Sequence, residues 1–371
     1  MSGLVPDGVT LPASRSERAT TRFRRLLAER SYVFAPGVYD PMTAELAMYQ
    51  RFDAIYFSGY SFAVGYLGTT DMDLYGGAEI ADGARRTVAA LRKFQLTMAV
   101  GDPPSGIPGT KLDIPPVLVD MDTGYGNAFN VQRTTELYVN AGVAGFHMED
   151  QVAPKRCGHI AGKALVSADE MVGKLRMARA VADDLGSDVV IMARTDAYSA
   201  VDAPERARGM DLAVERALRY IDSGAPDLVW CELPTSAREP TVTFAEEVRK
   251  RFPDAMLGFN YSSSFRWDKD PDPISFDELA DLGYKFIFIT LAAQHAAALG
   301  IAHLYRDLQH RGHAAYVDLQ RDEWAEKDLP SKSHHFFTGV PYHQLLGEVY
   351  GAGRLGRDVR EHQTAPEETR V

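Results

Sequence analysis

Eight short apolar runs, each followed by a segment with helical patterning, constrain the fold of this chain more than any other feature. Parallel strands joined by helices produce this alternation, and eight such units predict an α/β fold, a (β/α)8 barrel of TIM type. A doubly wound sheet is the alternative, but no GxGxxG motif follows the first run to open a helix. The predicted strands span residues 31–38, 54–59, 117–122, 145–150, 188–196, 228–233, 255–260 and 285–290.

Several helix starts are marked by capping residues. Asp40 followed by Pro41 is typical of an N-cap and a first helical position. Ser167, with Glu170 three places later, predicts a capping box at the start of another helix. Further helices are predicted over roughly 78–94 and about 204–223.

Helical sequence continues after Leu291 to at least Gln309, which is further than a barrel requires. We expect these extra C-terminal helices to pack on a neighbouring subunit. The predicted divisions are an N-terminal extension and helix over 1–30, a catalytic barrel over 31–300, and a C-terminal helical segment and tail over 301–371.

Polar side chains gather at the carboxyl ends of the predicted strands, the face that carries the active site in this fold. Each could instead be a helix cap or a turn residue, which is the usual role of such residues. The joint pattern favours a site, because many strands end in this way at the same level. The residues concerned are Ser58, Asp120, Asp122, Glu149, Arg194, Asp196, Glu232, Asn260 and Thr290.

The acidic residues among them predict a metal site. Side chains alternate along a strand, so Asp120 and Asp122 are expected on one face, and His147 and Glu149 on another. Carboxylates that converge in this way repel one another without a cation. Oxygen ligands suit a hard divalent ion, which predicts Mg²⁺, with Mn²⁺ as the alternative.

A basic loop over 153–163, here called the lid, carries the thiol of Cys157. Nearby cations lower the pKa of a thiol and favour the thiolate, and the glycines of the loop allow it to hinge. We therefore expect Cys157 to be catalytic rather than an incidental surface thiol, and Cys231 to be inert packing. The cations and glycines concerned are Lys155, Arg156, His159, Gly158 and Gly162.

Three further features have two readings each. Arg194 could pair with the strand-end acids or bind a substrate carboxylate by its planar fork. His147 is more often a buried core histidine, here expected to hydrogen-bond to a substrate or to Glu149. The polar loop over 260–264 is either an ordinary serine turn or a cluster of donors for a carboxylate.

The composition excludes several classes of protein. The chain has 371 residues and a net charge of −11, with acids spread along it and no basic stripe, which argues against a nucleic-acid partner. Its two cysteines give no disulfide framework and fit a reducing compartment. It has no apolar run suited to a signal peptide or to a membrane span. We expect a cytoplasmic protein with no membrane partner and a small di- or tricarboxylate substrate.

At three motifs the sequence resembles the isocitrate lyase and phosphoenolpyruvate mutase superfamily: DMDTGYGN from Asp120, KRCGH from Lys155, and ARTDA from Ala193. The resemblance runs from about Ala35 to Gly300. WCE at 230–232, NYSSSFRW at 260–267 and TLA at 290–292 are similar to the isocitrate lyase branch. The 2-methylisocitrate lyases share KRCGH but differ in the loops after strands six to eight.

The resemblance implies roles for individual residues. Asp120 would bind Mg²⁺, surrounded by Asp71, Asp122, Glu149 and Glu232. Cys157 would protonate the product carbanion, with His159 beside it. The resemblance leaves the base for the substrate hydroxyl open, and our own candidate is Tyr56. The glyoxylate portion would be held by Ser58, Gly59, Tyr60 and Arg194, and the succinate portion by Asn260, Ser262, Ser264 and Thr290 with Gly158 and His159 of the lid.

The resemblance implies magnesium-dependent cleavage of isocitrate to glyoxylate and succinate, the reaction of the glyoxylate cycle, and a homotetramer that exchanges C-terminal helices. Two departures are a tyrosine at Tyr60, where the family usually has tryptophan, and a chain that is short for an isocitrate lyase. We expect Trp230 and Thr290 to narrow the pocket against an extra methyl group.

The alternatives are a 2-methylisocitrate lyase that releases pyruvate and succinate, a related 2-oxo acid mutase or hydrolase, and a silent carboxylate-binding barrel. The mutase and hydrolase branches generally lack the lid cysteine. The complete set of acids together with Cys157 argues against a silent barrel.

Overall fold

The computed structural model describes residues 17–102, 106–200 and 208–349. Eight parallel strands form a closed barrel in chain order, with the first strand paired to the last. The predicted (β/α)8 barrel is therefore confirmed. The strands are β1 (Val33–Val38), β2 (Ile55–Phe57), β3 (Val117–Asp120), β4 (Gly145–Glu149), β5 (Val190–Thr195), β6 (Leu228–Cys231), β7 (Met256–Asn260) and β8 (Tyr284–Ile289).

Helices connect the strands and continue past the last of them, so the predicted extra C-terminal helices are also present. The exchange of helices between subunits remains a prediction. The helices are α1 (Ala19–Glu29), α2 (Pro41–Tyr49), α3 (Gly59–Phe62), α4 (Gly77–Val100), α5 (Ala128–Ala141), α6 (Ala168–Asp184), α7 (Ala197–Ala200), α8 (Gly209–Asp222), α9 (Arg238–Arg251), α10 (Phe276–Asp281), α11 (Ala292–Arg311), α12 (His313–Ala325), α13 (His334–Phe337) and α14 (Val340–Val349).

The predicted helix caps are observed, with one difference. The Asp40 side chain accepts a hydrogen bond from the Thr43 backbone N–H at 2.8 Å, with Pro41 in the first turn of α2. Ser167 likewise accepts from the backbone N–H of Glu170 at 3.1 Å. The described contacts of α6 show this half of the predicted capping box, without the return bond from the Glu170 side chain.

Two predicted boundaries are wrong for identifiable reasons. Helix α4 continues six residues past position 94, to Val100, because helix-forming residues continue until Gly101, which has φ +76°. The strand predicted to reach Asp122 ends at Asp120, because Asp122 itself has φ +47° and turns the chain. Asp120 and Asp122 therefore do not share a face of one strand. Of the helix predicted over 204–223, residues 204–207 lie outside the described residues.

An aromatic layer fills the barrel interior below its carboxyl end. The Tyr56 and Trp230 rings pack on Phe288 with centroids 4.4 Å and 5.1 Å away, and His147 meets Trp230 edge-on at 5.1 Å. All of these side chains are at most 2% exposed. Large buried aromatic rings stabilise a core through burial and ring geometry, so this layer forms a firm floor for the loops above.

The chain divides into two compact units. The described part of the larger one spans 17–88, 115–200 and 208–300 and contains the barrel. That of the smaller one spans 89–102, 106–114 and 301–349. Within the smaller unit, the Phe94 and Phe337 rings pack edge to face at 5.4 Å, and the Ser333 hydroxyl donates to Asp102 Oδ2 at 2.7 Å. No helix among the described residues is both long and apolar enough to cross a bilayer.

We predict that Gly37→Ala destabilises the barrel. A Cβ atom at Gly37 in β1 would lie 2.1 Å from the Thr290 backbone oxygen, so strand backbone must shift. Overpacking of this kind costs about 1–3 kcal/mol of unfolding free energy. Gly173→Ala in α6 is the matched control, because nothing lies within 4 Å of its Cβ position. The control should gain about 0.5–1 kcal/mol. Chemical denaturation measures both, and equal stabilities would contradict the prediction.

Candidate active site

A cavity of about 100 Å³ lies at the carboxyl end of the barrel, between the strand ends and the lid. It brings together most of the residues that the sequence predicts for the site. Ser263, Leu291 and Trp230 also line it. The predicted site residues along its wall are Tyr56, Tyr60, Asp71, Asp120, Cys157, Gly158, His159, Arg194, Glu232, Asn260, Ser262, Ser264 and Thr290.

Four predicted residues lie behind this wall rather than on it: Ser58, Gly59, Asp122 and Glu149. The Ser58 hydroxyl caps α3 by accepting from the Ser61 backbone N–H at 3.0 Å. A Cβ atom on Gly59 would lie 2.6 Å from Asp120 Oδ2, so only glycine lets this backbone approach that carboxylate.

The lid lysine Lys155 compensates the acidic cluster. Its buried ammonium contacts Asp71 and lies 2.7 Å from Asp122 Oδ1. Burial alone would lower the pKa of Lys155, but the carboxylates of Asp122, Asp71 and Glu149 outweigh it and hold the pKa well above its ordinary value. For Asp120, burial raises the pKa of the carboxyl although Lys155 opposes this. The described residues contain no group of three or more acidic, histidine or cysteine side chains arranged around one metal position.

Tyr56, His147 and Asp120 form a buried hydrogen-bonded group. The Tyr56 hydroxyl lies 2.8 Å from His147 Nε2 and 3.4 Å from Asp120 Oδ2. Burial and the nearby Arg194 hold the pKa of His147 well below its ordinary value, so the imidazole is neutral. Burial, together with the negative charge of Asp120, raises the pKa of Tyr56. The predicted bond from His147 to Glu149 is wrong, because Nε2 faces Tyr56 across the barrel.

Arg194 is held in a fixed orientation by three neighbours. Its guanidinium donates to both carboxylate oxygens of Asp196, at 2.9 Å and 3.0 Å. It lies 3.0 Å from Glu149 Oε2 and stacks over the Trp230 ring with its carbon 4.6 Å from the ring centroid. Arg194 therefore pairs with the strand-end acids, as one of its two readings predicts. It also lines the cavity, and its binding of a substrate carboxylate remains a prediction.

The opposite side of the cavity is rich in hydroxyl and amide groups. The Thr290 hydroxyl donates to Asn260 Oδ1 at 3.0 Å. The Ser262 hydroxyl accepts from the Ser264 backbone N–H at 3.1 Å and lies 3.1 Å from His159 Nε2. The polar loop after β7 is thus an organised turn whose side chains face the cavity and the lid.

The lid closes over the cavity, and its histidine reaches both sides. His159 Nε2 lies 3.1 Å from Glu232 Oε1 as well as close to Ser262. Gln151 fixes the start of the lid, since its side chain donates to the Arg156 carbonyl at 2.9 Å and accepts from the Arg156 N–H at 3.0 Å. Cys157 and Gly158 consequently point toward the strand ends.

The expectation that cations lower the pKa of Cys157 is wrong. Burial raises the pKa of this thiol above its ordinary value, and the opposing influence of Lys155 is smaller. Lys155 is occupied by Asp71 and Asp122, while burial also lowers the pKa of His159. The thiol is therefore protonated at neutral pH and suits a proton donor rather than a nucleophile.

Sequence reasoning missed the contacts of Lys163 and Asp150. The Lys163 ammonium is buried, bonds to the Gly158 carbonyl and lies 2.9 Å from Asp196 Oδ1. Asp150 accepts from the Asp196 backbone N–H at 3.0 Å. Nothing in the residue pattern distinguishes a buried lysine at the end of a loop from an exposed one.

Comparisons with known proteins identify the family to which this chain belongs. The sequence profile described as phosphoenolpyruvate phosphomutase matches residues 23–308. The chain is 40% identical over 321 residues to an isocitrate lyase of Haloferax volcanii, covering 86% of this chain and 84% of that protein. The chain belongs to the phosphoenolpyruvate mutase/isocitrate lyase superfamily.

Another member of this superfamily is similar in both sequence and structure. The chain is 34% identical to a 2,3-dimethylmalate lyase of Eubacterium barkeri, over 78% of this chain and 85% of that protein. A crystal structure of a 2,3-dimethylmalate lyase matches with a TM-score of 0.70 at 28% identity, covering 91% of this chain and 96% of that one. The chain therefore shares the barrel of this superfamily, and the similar members are named for more than one substrate.

We predict that the Cys157 thiol titrates above the ordinary value of about 9, because its burial outweighs the lid cations. In a Cys231→Ser background, the rate of iodoacetamide modification should be low at neutral pH and rise with an inflection above that value. The free cysteine in the same buffers is the reference. An inflection near pH 7 would show that the cations control the thiol and would contradict the prediction.

Proposed function

We propose that this chain is a magnesium-dependent carbon–carbon lyase that cleaves isocitrate to glyoxylate and succinate. The observation that carries the proposal is the position of the Cys157 thiol. It lies in one cavity with the Arg194 guanidinium and with the hydroxyl cluster that includes Ser262. A protonated thiol between two carboxylate-binding ends is what protonation of a succinate carbanion requires.

The two ends of the cavity suit the two halves of such a substrate. Arg194 presents a planar cation at one end, and Tyr60 also lines the cavity. Asn260, Ser262 and Thr290 supply uncharged polar groups at the other. We assign the glyoxylate half to the first end, together with Ser58 and Gly59. We assign the succinate half to the second, together with Ser264 and the lid residues Gly158 and His159.

The acidic cluster supports a divalent cation by the chemistry of its oxygens. Asp71, Asp120, Asp122 and Glu149 offer hard carboxylate ligands, and the Lys155 ammonium against two of them shows that the cluster accommodates positive charge. We propose that Asp120 binds Mg²⁺ or Mn²⁺ directly and that the other three lie around the ion, some of them reaching it through water. When bound, the ion would polarise the substrate hydroxyl and its neighbouring carboxylate.

Proton transfer follows from the groups around the cavity. Cleavage removes the proton of the substrate hydroxyl, breaks the adjacent carbon–carbon bond and leaves an electron pair on the succinate half. We propose that Tyr56 takes the hydroxyl proton while passing its own to the neutral His147, 2.8 Å away. The Cys157 thiol then gives its proton to the carbanion carbon. The raised pKa of Tyr56 makes this paired transfer more favourable than a standing phenolate.

A second candidate substrate is a methylated analogue, either 2-methylisocitrate or 2,3-dimethylmalate. The relative named 2,3-dimethylmalate lyase, 34% identical, supports this candidate. Trp230 and Thr290 stand against it, because both are bulky or branched and line the cavity. A methylene-sized difference is worth only about 1–3 kcal/mol, so one activity does not exclude the other.

We further propose a cytoplasmic homotetramer in which C-terminal helices are exchanged between subunits. The helix α11 carries exposed apolar side chains at Leu299, Ile301 and Tyr305, and none of its described side chains is buried. Exposed apolar stripes of this kind are typical of subunit interfaces. Residues 350–371 of the predicted C-terminal segment lie outside the described residues.

We predict that the enzyme releases glyoxylate from isocitrate with a higher kcat/KM than it shows for 2-methylisocitrate or 2,3-dimethylmalate. EDTA should abolish turnover and Mg²⁺ restore it.

Thr290→Ser retains the hydroxyl that bonds to Asn260 but removes a methyl group, so it should reduce the difference in kcat/KM between isocitrate and the methylated substrates. Coupled assays for glyoxylate and pyruvate measure these rates. A preference for a methylated substrate would reassign the substrate, and activity in metal-free buffer would remove the metal assignment.

We predict that Cys157→Ser lowers turnover by roughly 10²–10⁴-fold, the usual contribution of a positioned acid. A serine hydroxyl fits the same space but gives up its proton far less readily. Cys231→Ser is the matched control: this second thiol is buried and does not line the cavity, so most activity should remain. Normal turnover by the Cys157→Ser variant would contradict this prediction and would leave the lid only the role of covering the cavity.

A further inference from the structure

We propose that Lys163, at the end of the lid, is a positioning residue that locks the lid onto the barrel through Asp196 and the Gly158 carbonyl. The proposal assigns this lysine no contact with substrate. This role of Lys163 rests on the proposed lyase function only for the measurement of turnover, because lid closure is measured by a separate experiment.

Lys163 is buried as deeply as a core residue, with 5% of its surface exposed. Its ammonium bonds to the Gly158 carbonyl and lies 2.9 Å from Asp196 Oδ1. A buried ammonium is stable only when paired and hydrogen-bonded. In the closed lid, the Asp196 carboxylate therefore compensates the charge of the buried Lys163 ammonium. Without Asp196 this ammonium would be buried with its charge uncompensated.

Asp196 is a rigid partner because the barrel holds it on the other side. Its backbone N–H donates to Asp150 Oδ1 at 3.0 Å. The other oxygen of Asp150 accepts from the Thr195 and Tyr220 hydroxyls, both at 2.7 Å, and lies 3.0 Å from Arg216 Nη1. This buried network leaves Asp196 little freedom, so a bond to Asp196 fixes the lid to the barrel itself.

Asp196 also connects the lid to Arg194. The same carboxylate that receives Lys163 accepts both hydrogen bonds from the Arg194 guanidinium. A Cβ atom on Gly158 would lie 2.4 Å from Arg194 Nη2, so the lid backbone touches this guanidinium directly. Gly158, Lys163, Asp196 and Arg194 thus form a closed ring of contacts. Cys157 precedes Gly158, so the ring determines where its thiol stands relative to Arg194.

Lys155 is a second lid lysine with buried partners, but its contacts are the acids of the proposed metal cluster. A variant of Lys155 would therefore change lid closure and metal binding together. Lys163 contacts none of those acids, so its removal isolates the closing of the lid.

The test uses the full-length protein with Cys231→Ser, so that Cys157 is the single thiol. Lys163→Met removes the ammonium and keeps a long side chain, and Lys163→Arg restores a cation. Lys174→Met is the matched control: Lys174 is also buried, but it lies on α6 outside the lid and donates to the Thr123 carbonyl. The first readout is the rate at which iodoacetamide modifies Cys157, and the second is kcat and KM for isocitrate.

Lys163→Met should speed modification of Cys157 on the order of tenfold or more, the equilibrium worth of a charge-assisted hydrogen bond. Its kcat should fall by a similar factor because the proton donor is misplaced. The change in KM should be smaller, because Arg194, Asn260 and Ser262 line the cavity from outside the lid. Lys163→Arg should partly restore both the slow modification of Cys157 and the kcat. Lys174→Met should leave the modification rate unchanged even where it lowers the melting temperature.

Modification of Cys157 at the parental rate in a folded Lys163→Met protein would overturn the proposal, whatever the melting temperature. If Lys163→Met does not fold, Lys163→Gln is judged by the same criterion, since it retains a donor but loses the charge. Absence of isocitrate cleavage in every variant, with faster modification in Lys163→Met, would reject the proposed substrate and leave the lid lock in place.

Discussion

Compensation of buried negative charge is the constraint on which the carboxyl end of this barrel depends. Asp120, Asp122, Glu149, Asp196 and Glu232 are all at most 6% exposed. Carboxylates packed so closely are stable only with cations among them. Arg194 is the cation contributed by a strand, and the lid contributes Lys155 and Lys163. The lid therefore completes the electrostatics of the barrel as well as covering its mouth, which explains why Lys155 and Lys163 can be buried although most of the loop is exposed.

Close approach of backbone to charged groups is the second requirement, and glycine meets it at two places. Gly59 lets the chain after β2 pass against Asp120, and Gly158 lets the lid rest on Arg194 and Glu232. Any larger residue would meet these atoms at less than 3 Å. The aromatic floor of Tyr56, Trp230 and Phe288 keeps the strand ends from yielding. The strand ends and the lid together bound this small cavity.

Much of the fold could be predicted from sequence, because short apolar runs and strand-end polar residues are local patterns. The gathering of Asp120, Arg194, Glu232 and Asn260 around one cavity followed from the barrel alone, since parallel strands end at one face. Properties set by burial could not be predicted in this way. The Cys157 pKa had the wrong expected sign, because sequence shows neighbouring charges but not the desolvation that outweighs them. The partners of His147 and Lys163 were hidden for a related reason, as they depend on contacts across the barrel and across the lid.

Burial raises the pKa of a thiol and lowers the pKa of an imidazole, and the proposed proton transfers depend on this difference in direction. It raises the pKa of the Cys157 thiol, which keeps its proton, and lowers the pKa of the His147 imidazole, which stays without one. A donor that holds its proton and an acceptor that lacks one are both neutral, so neither adds charge to the crowded acidic cluster. Burial thus favours the starting protonation state of both groups in the proposed proton transfer. An open lid would return Cys157 to water and bring its pKa back toward the ordinary value, so the proposed proton donation depends on a closed lid.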